Sequence, residues 1–222
     1  MHNADWIIER AIELKGSRAA VDALLPEIAS AEELLARSDE QYLSLMGLRI
    51  FRAGLKHSVV DAKWPKFEEA YGGFNLNWAA GLSDEQLENI MAKPGLIAHW
   101  GKHKAVRHNA AWLAEIVRQH GSVGQFLADW PVEDISGLWL LMKKQGAHLG
   151  GASAAAFLRM VGKDTFRLSE DVLVQLRALG VLDKAEFPTS QRDLKAVQQA
   201  FNEWHKQSGL PLTHLSRMLS FT

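Results

Sequence analysis

Cysteine is absent from all 222 residues. That excludes disulfides, thiolate nucleophiles and cysteine-ligated zinc, and it suits a cytoplasmic protein in a reducing compartment. Long apolar runs are also missing. None approaches the roughly 18 residues of a membrane span, so no membrane partner is expected. The opening "MHNADWIIERAIELKG" places acidic residues inside its apolar pattern and does not read as a signal peptide. Alternating β-branched runs of strand length do not occur, nor does a fixed-period repeat or a low-complexity tract. The Gly-x-x-x-x-Gly-Lys-Ser/Thr spacing of a nucleotide-binding loop is absent as well.

What is present is a chain that is 47% hydrophobic, enough to build a core. Its formal net charge of −1 argues against a strongly basic nucleic-acid binder, but the charge is unevenly spread. Residues 1–41 hold nine Asp and Glu against four Lys and Arg, so the remainder is net basic. Lys93, Lys102, Lys104, Arg107 and Arg118 face only Glu115 within 93–120, together with His99, His103, His108 and His120. A second basic stretch runs from Lys143 to Arg167. This asymmetry fits a polyanion-facing surface on the later part of the chain, and it equally fits ordinary solvated helix faces.

The apolar residues recur at helical spacing. "WIIERAIEL" sets Trp6, Ile7, Ala11 and Leu14 on one side. "SDEQ" occurs at Ser38–Gln41 and again at Ser83–Gln86, each with the form of a capping box. The first opens a helix that Gly54 stops. The second opens one stopped by Lys93-Pro94-Gly95. A long amphipathic helix is predicted from Gly101 to His120, and further helices in "SVGQFLADW", "GLWLLMKKQ", "SEDVLVQLRAL", "SQRDLKAVQQAFNEWHKQ" and "LTHLSRML". The pattern predicts an all-α protein of about ten helices with short loops.

One junction stands out. In "KQGAHLGGASAAAFLRMVG" a helix breaks at His148-Leu149-Gly150-Gly151 and restarts as a run of alanines. The glycines read either as a helix C-cap with close packing behind it, or as a turn whose free N–H groups hold an anion. In the second reading Gly150, Gly151 and Ser153 contact phosphate, because glycine has no Cβ to keep a phosphate away. The i, i+4 pair His99 and His103 could share a metal. With no third ligand motif nearby, no metal site and no cofactor are expected.

Residues 46–110 resemble the 3-methyladenine DNA glycosylase I (Tag) family. The resemblance lies in "FRAGLKHSVVDAKWPKFEEAYGGFN" and "GLIAHWGKHKAVRHNA", through Ala53-Gly54-Leu55, Phe67, Phe74, Gly95, Ile97, His99, Gly101, Lys102, Asn109 and Ala110. The 149–151 turn is similar to the helix-hairpin-helix of the same superfamily, so the likeness runs from about residue 46 to 180. It implies a two-lobed helical bundle with a cleft between the lobes. It also implies 46–135 as a lobe with the Ala-Gly-Leu turn and 136–180 as the hairpin region; outside the likeness, residues 1–45 read as N-terminal helices of unassigned role and 181–222 as C-terminal helices.

The implied activity is hydrolysis of the N-glycosidic bond of alkylated purines in double-stranded DNA, by a monomer, after the base is flipped from the stack. The resemblance places His57 at the base pocket and Leu55 as a wedge in the base stack; Trp64 and Tyr42 are further pocket candidates, with a core role the alternative for Trp64 and a packing role for His57. It assigns Gly150, Gly151, Ser153 and Lys102 to DNA phosphates, and Asp171 with Glu170 to catalysis. Departures accompany it. The family has a carboxylate four positions before the Ala of Ala-Gly-Leu, and Arg49 stands there. It has an aromatic residue where His57 stands. The superfamily's catalytic Asp aligns with Ser169, which also reads as the N-cap of the next helix, and acids at 170 and 171 also complement a helix dipole. The alternative is a non-catalytic DNA-binding or damage-recognition module on the same scaffold.

Overall fold

The computed structural model describes residues 3–222, with fourteen α-helices, two short 3-10 turns and no strand among them. The chain divides into two compact units, and neither is contiguous. One comprises residues up to Ala29, Trp130–Leu138 and Gly162–Thr222; the other comprises Ser30–Asp129 and Trp139–Val161.

The second unit contains α3 (Ala31–Ala36), α4 (Asp39–Arg52), α5 (His57–Ala70), α6 (Leu76–Ala80), α7 (Asp84–Met91), α8 (Trp100–His120), α9 (Val123–Asp129) and α11 (Ala152–Met160). The 21-residue α8 is its spine, with α4, α6, α7 and α9 packed on it. Both "SDEQ" segments form capping boxes. Ser38 and Ser83 each accept from a backbone N–H three positions on, while Gln41 and Gln86 reach back to the cap N–H. A third box, Ser30 with Glu33, opens α3.

Aromatic rings fill the space between α4, α5 and α8. Trp64 stacks on Phe67 at 4.8 Å and on Phe74 at 5.6 Å, and Phe51 lies 4.6 Å from Phe67. Buried His103 joins this stack and is fully committed. The Ile97 carbonyl, 2.9 Å from Nε2, can only accept, so Nε2 carries the proton. Nδ1 then accepts from the Tyr71 hydroxyl at 2.7 Å. Burial lowers the His103 pKa, in keeping with a neutral ring. His99 caps α8, its Nδ1 accepting from the Lys102 N–H, so the 99/103 pair serves structure.

The first unit joins the two ends of the chain. Here α1 (Ala4–Lys15) packs against α2 (Arg18–Asp22), α13 (Gln191–Ser208) and α14 (Leu212–Leu219), and α12 (Glu170–Ala178) packs on α14. Ile7 and Ala11 are buried as their spacing predicts, whereas Leu14 stays exposed. Pro211 has no side-chain donor or acceptor with which to cap α14, and Asp164 does so from a distance, accepting from the Leu212 and Thr213 N–H groups. Phe166 stacks on Phe201 at 4.5 Å in its core. Finally α10 (Ile135–Gln145) gives its first residues to this unit and the rest to the other.

Close helix packing in the second unit depends on Gly124 of α9. A Cβ there would sit 2.4 Å from the Leu34 carbonyl oxygen of α3, a backbone atom. Gly124→Ala is therefore expected to lower the unfolding free energy by about 2–3 kcal/mol, read by urea denaturation.

Candidate functional site

The chain leaves α4 through Ala53-Gly54-Leu55. Gly54 has φ +74, a left-handed conformation that suits glycine at this bend. Leu55 follows it 41% exposed, and Val59 one turn into α5 is also exposed. His57 is exposed as the first residue of α5. Arg52, near the end of α4, pairs with Asp61 at 2.7 Å across the same turn.

Lys102 holds this turn from behind. It is only 6% exposed, and its Nζ donates to the Ala53 carbonyl at 2.6 Å and the Phe51 carbonyl at 3.1 Å. These are carbonyls at the end of α4, which a cation complements. Burial lowers the Lys102 pKa, and the positive charge of Arg49 lowers it further. Expected as a phosphate contact, Lys102 is instead a buried clamp on the Ala-Gly-Leu turn, because two close carbonyls hold its ammonium inside the fold.

The residues expected to form a base pocket differ in exposure. Tyr42 is fully buried, its hydroxyl donating to the Leu34 carbonyl at 2.7 Å. Trp64 is 7% exposed within the aromatic stack, its Nε1 donating to Ser44 Oγ at 2.9 Å. Both rings are committed to the core, since large apolar faces with one polar tip are best satisfied there. Only His57 of the three is accessible.

The turn between α10 and α11 is built from residues with different tasks. Gly146 closes α10, its N–H donating to the Met142 carbonyl, and a Cβ on it would meet Leu149 at 2.6 Å. Buried Asn109 of α8 braces the turn at two points. It donates to the Ala147 carbonyl at 3.1 Å and accepts from the Ala147 N–H at 2.7 Å. Gly150 and Gly151 therefore do not cap the first helix; they lead into α11. Gly151 is its N-cap, with φ +56 and no side-chain cap bond. Gly150 has no such backbone need, and a Cβ there would meet only Lys143 Cγ at 3.6 Å. Ser153 lies in the first turn of α11, where Arg49 Nη2 donates to its hydroxyl at 3.4 Å.

In the other unit, Glu170 and Asp171 are exposed in the first turn of α12. Ser169 caps that helix, its hydroxyl accepting from the Val172 N–H. A feature with no clear signal in the sequence is a cavity of about 460 Å³ lined by Arg37, Glu40, Ser44, Leu45, Glu68 and Gly73 among others. Ser44 donates onward to the Glu68 carboxylate there at 3.2 Å. Among the described residues no helix is long and apolar enough to cross a membrane, and no group of three or more potential ligands is arranged for a metal.

A family model described as methyladenine glycosylase matches residues 34–145, most of which lie in the second unit. No curated protein matches the chain by sequence. Among solved structures, a variant of 3-methyladenine DNA glycosylase I from Staphylococcus aureus has a similar fold, with a TM-score of 0.52 at 20% identity, covering 67% of this chain and 89% of that one. A 3-methyladenine DNA glycosylase I in complex with 3-methyladenine gives 0.52 at 20% identity, over 68% of this chain and 91% of that one. An 8-oxoguanine glycosylase/lyase from Methanocaldococcus jannaschii, in complex with DNA containing 8-oxoguanine, gives 0.52 at 18% identity, over 97% of this chain and 96% of that one.

The turn clamp has a direct test. Lys102→Met strands two carbonyls and should cost about 2–3 kcal/mol of stability. Amide exchange at Leu55, whose N–H donates to the Arg52 carbonyl, should speed up in the same variant. The salt dependence of duplex binding should not change; a slope reduced by about one would return Lys102 to the phosphates.

Proposed function

The chain belongs to the methyladenine glycosylase family, and on that basis we propose that it hydrolyses the N-glycosidic bond of altered purines in duplex DNA, with alkylated purines as the expected class. The observation that carries the reading is the pairing, within one unit, of an exposed Leu55 turn clamped from inside by Lys102 with a braced Gly150-Gly151 hairpin. In this reading the base leaves the stack, Leu55 fills the gap, and His57 offers a ring face at the edge of the turn. Gly150 and Gly151 let a phosphate approach the uncapped first turn of α11, whose N–H groups and dipole favour an anion, with the Ser153 hydroxyl beside them. Such grip would be independent of base sequence.

Asp171, with Glu170 beside it, is the carboxylate proposed to stabilise positive charge developing at the deoxyribose C1′. Both acids are exposed and therefore accessible to a ligand. They lie outside the region matched by the family model, so their role rests on the superfamily resemblance.

A second reading, a duplex-binding module without chemistry, is favoured by two residues. Arg49 stands where the family has a carboxylate, and Ser169, at the expected catalytic position, has its hydroxyl engaged as a helix cap. Mass spectrometry of bases released from alkylated duplex DNA separates the two. The glycosylase reading expects free purine, reduced by about 100-fold or more in Asp171→Asn. Salt-dependent binding without any released base would select the module.

The hairpin contact is tested by Gly150→Asp. The fold has room for this side chain, so the thermal midpoint should stay within a few degrees of the parent. Duplex affinity should fall by about tenfold or more, because a carboxylate would replace the opening for a phosphate. Unchanged affinity would remove the hairpin from the DNA-binding surface.

A further inference from the structure

We infer that His148, with His99 across Gly101 and Lys143 beside Gly150, holds a DNA backbone phosphate next to the one at the Gly150-Gly151 turn. The inference rests on the duplex-binding part of the reading above, which the glycosylase and the module share, and widens that contact to side chains outside the turn glycines.

His148 is held in an unusual backbone conformation. Its φ is +59, in the left-handed region where most side chains are strained. Both neighbours are tied down, Ala147 by its two bonds to Asn109 and Leu149 by burial. The residue itself stays exposed. Glycine stands at 146, 150 and 151, yet not at 148, where the backbone angle favours it. A strained residue whose side chain is left to solvent points to a role for that side chain.

A second imidazole lies close to it. A Cβ placed on Gly101 would stand 3.8 Å from His148 Nε2 and 3.5 Å from His99 Cε1, so both rings approach the bare face of one glycine. His99 is exposed, and its Nδ1 accepts from the Lys102 N–H. Its Nε2 therefore carries the proton and remains a donor. On α10, Lys143 runs its stem past Gly150, with Cγ 3.6 Å from where a Cβ would stand. Lys143 and His148 are both exposed, and neither is drawn into the fold by a hydrogen bond or ion pair among the described residues.

The charge carried by these segments has one sign. Residues 92–114 and 135–163, which supply all three side chains, contain no Asp or Glu. No carboxylate from either segment neutralises the donors or repels an anion. The matching ligand is an anion rich in acceptor oxygens, which in a duplex is the phosphodiester backbone.

The test measures duplex affinity of the full chain against salt concentration, by fluorescence anisotropy, in three variants. His148→Gly relieves the left-handed backbone and removes the ring. Its thermal midpoint should hold or rise by a few degrees, while affinity falls about fivefold, equally for duplexes of different sequence. His148→Lys should tighten binding and steepen the salt slope by about one, and Lys143→Met should reduce that slope by about one. Unchanged affinity in His148→Gly overturns the inference. So does a fall in affinity that tracks a lowered thermal midpoint, or a salt slope that stays at the parent value in both other variants. In each of these cases a loss of affinity in Gly150→Asp leaves the hairpin reading standing. A parent protein that binds no duplex at low salt overturns that reading, and this inference with it.

Discussion

A lysine ammonium withdrawn from water must find oxygen atoms to replace its hydration, and Lys102 finds them at the end of α4. Those carbonyls have no partner within their own helix, so the bonds satisfy both sides at once. The position of the Ala53-Gly54-Leu55 turn follows from that contact. Leu55 can stay exposed at the turn tip because Lys102 and the positive φ of Gly54 shape the backbone beneath it. The aromatic stack of Phe51, Trp64, Phe67 and Phe74 then packs around the same helix end.

The hairpin obeys a comparable logic. Asn109 on α8 braces Ala147 through both its donor and its acceptor, and Gly146 is tightly packed at the end of α10. These interactions fix the turn from inside. Gly150 is left with no steric neighbour that requires glycine, and Gly151 needs glycine for its backbone angle alone. Arg49 connects α4 to the first turn of α11 through the Ser153 hydroxyl.

Local signals in the sequence were legible. The two "SDEQ" capping boxes, the long helix ending at His120 and the stop near Gly54 can each be recognised from a few neighbouring residues, and each is present. The short helices α2, α3 and α6 were not anticipated, because five or six residues hold too little periodicity to register. The pairing of α1 with α13 and α14 was equally hidden. It joins residues about two hundred positions apart, and nothing local to either end specifies the other.

The sequence by itself determined the all-α character, the caps, the turn glycines and the family, since these depend on residue type at short spacing. It did not determine which polar and aromatic groups face outward. Tyr42 and Lys102 read as ligand contacts by position and Trp64 as either core or platform, and tertiary packing gives each an internal partner: the Leu34 carbonyl for Tyr42, Ser44 for Trp64 and the carbonyls ending α4 for Lys102. The physical reason is that a polar group's role depends on whether protein or water is nearest to satisfy it. That is decided only when distant segments meet.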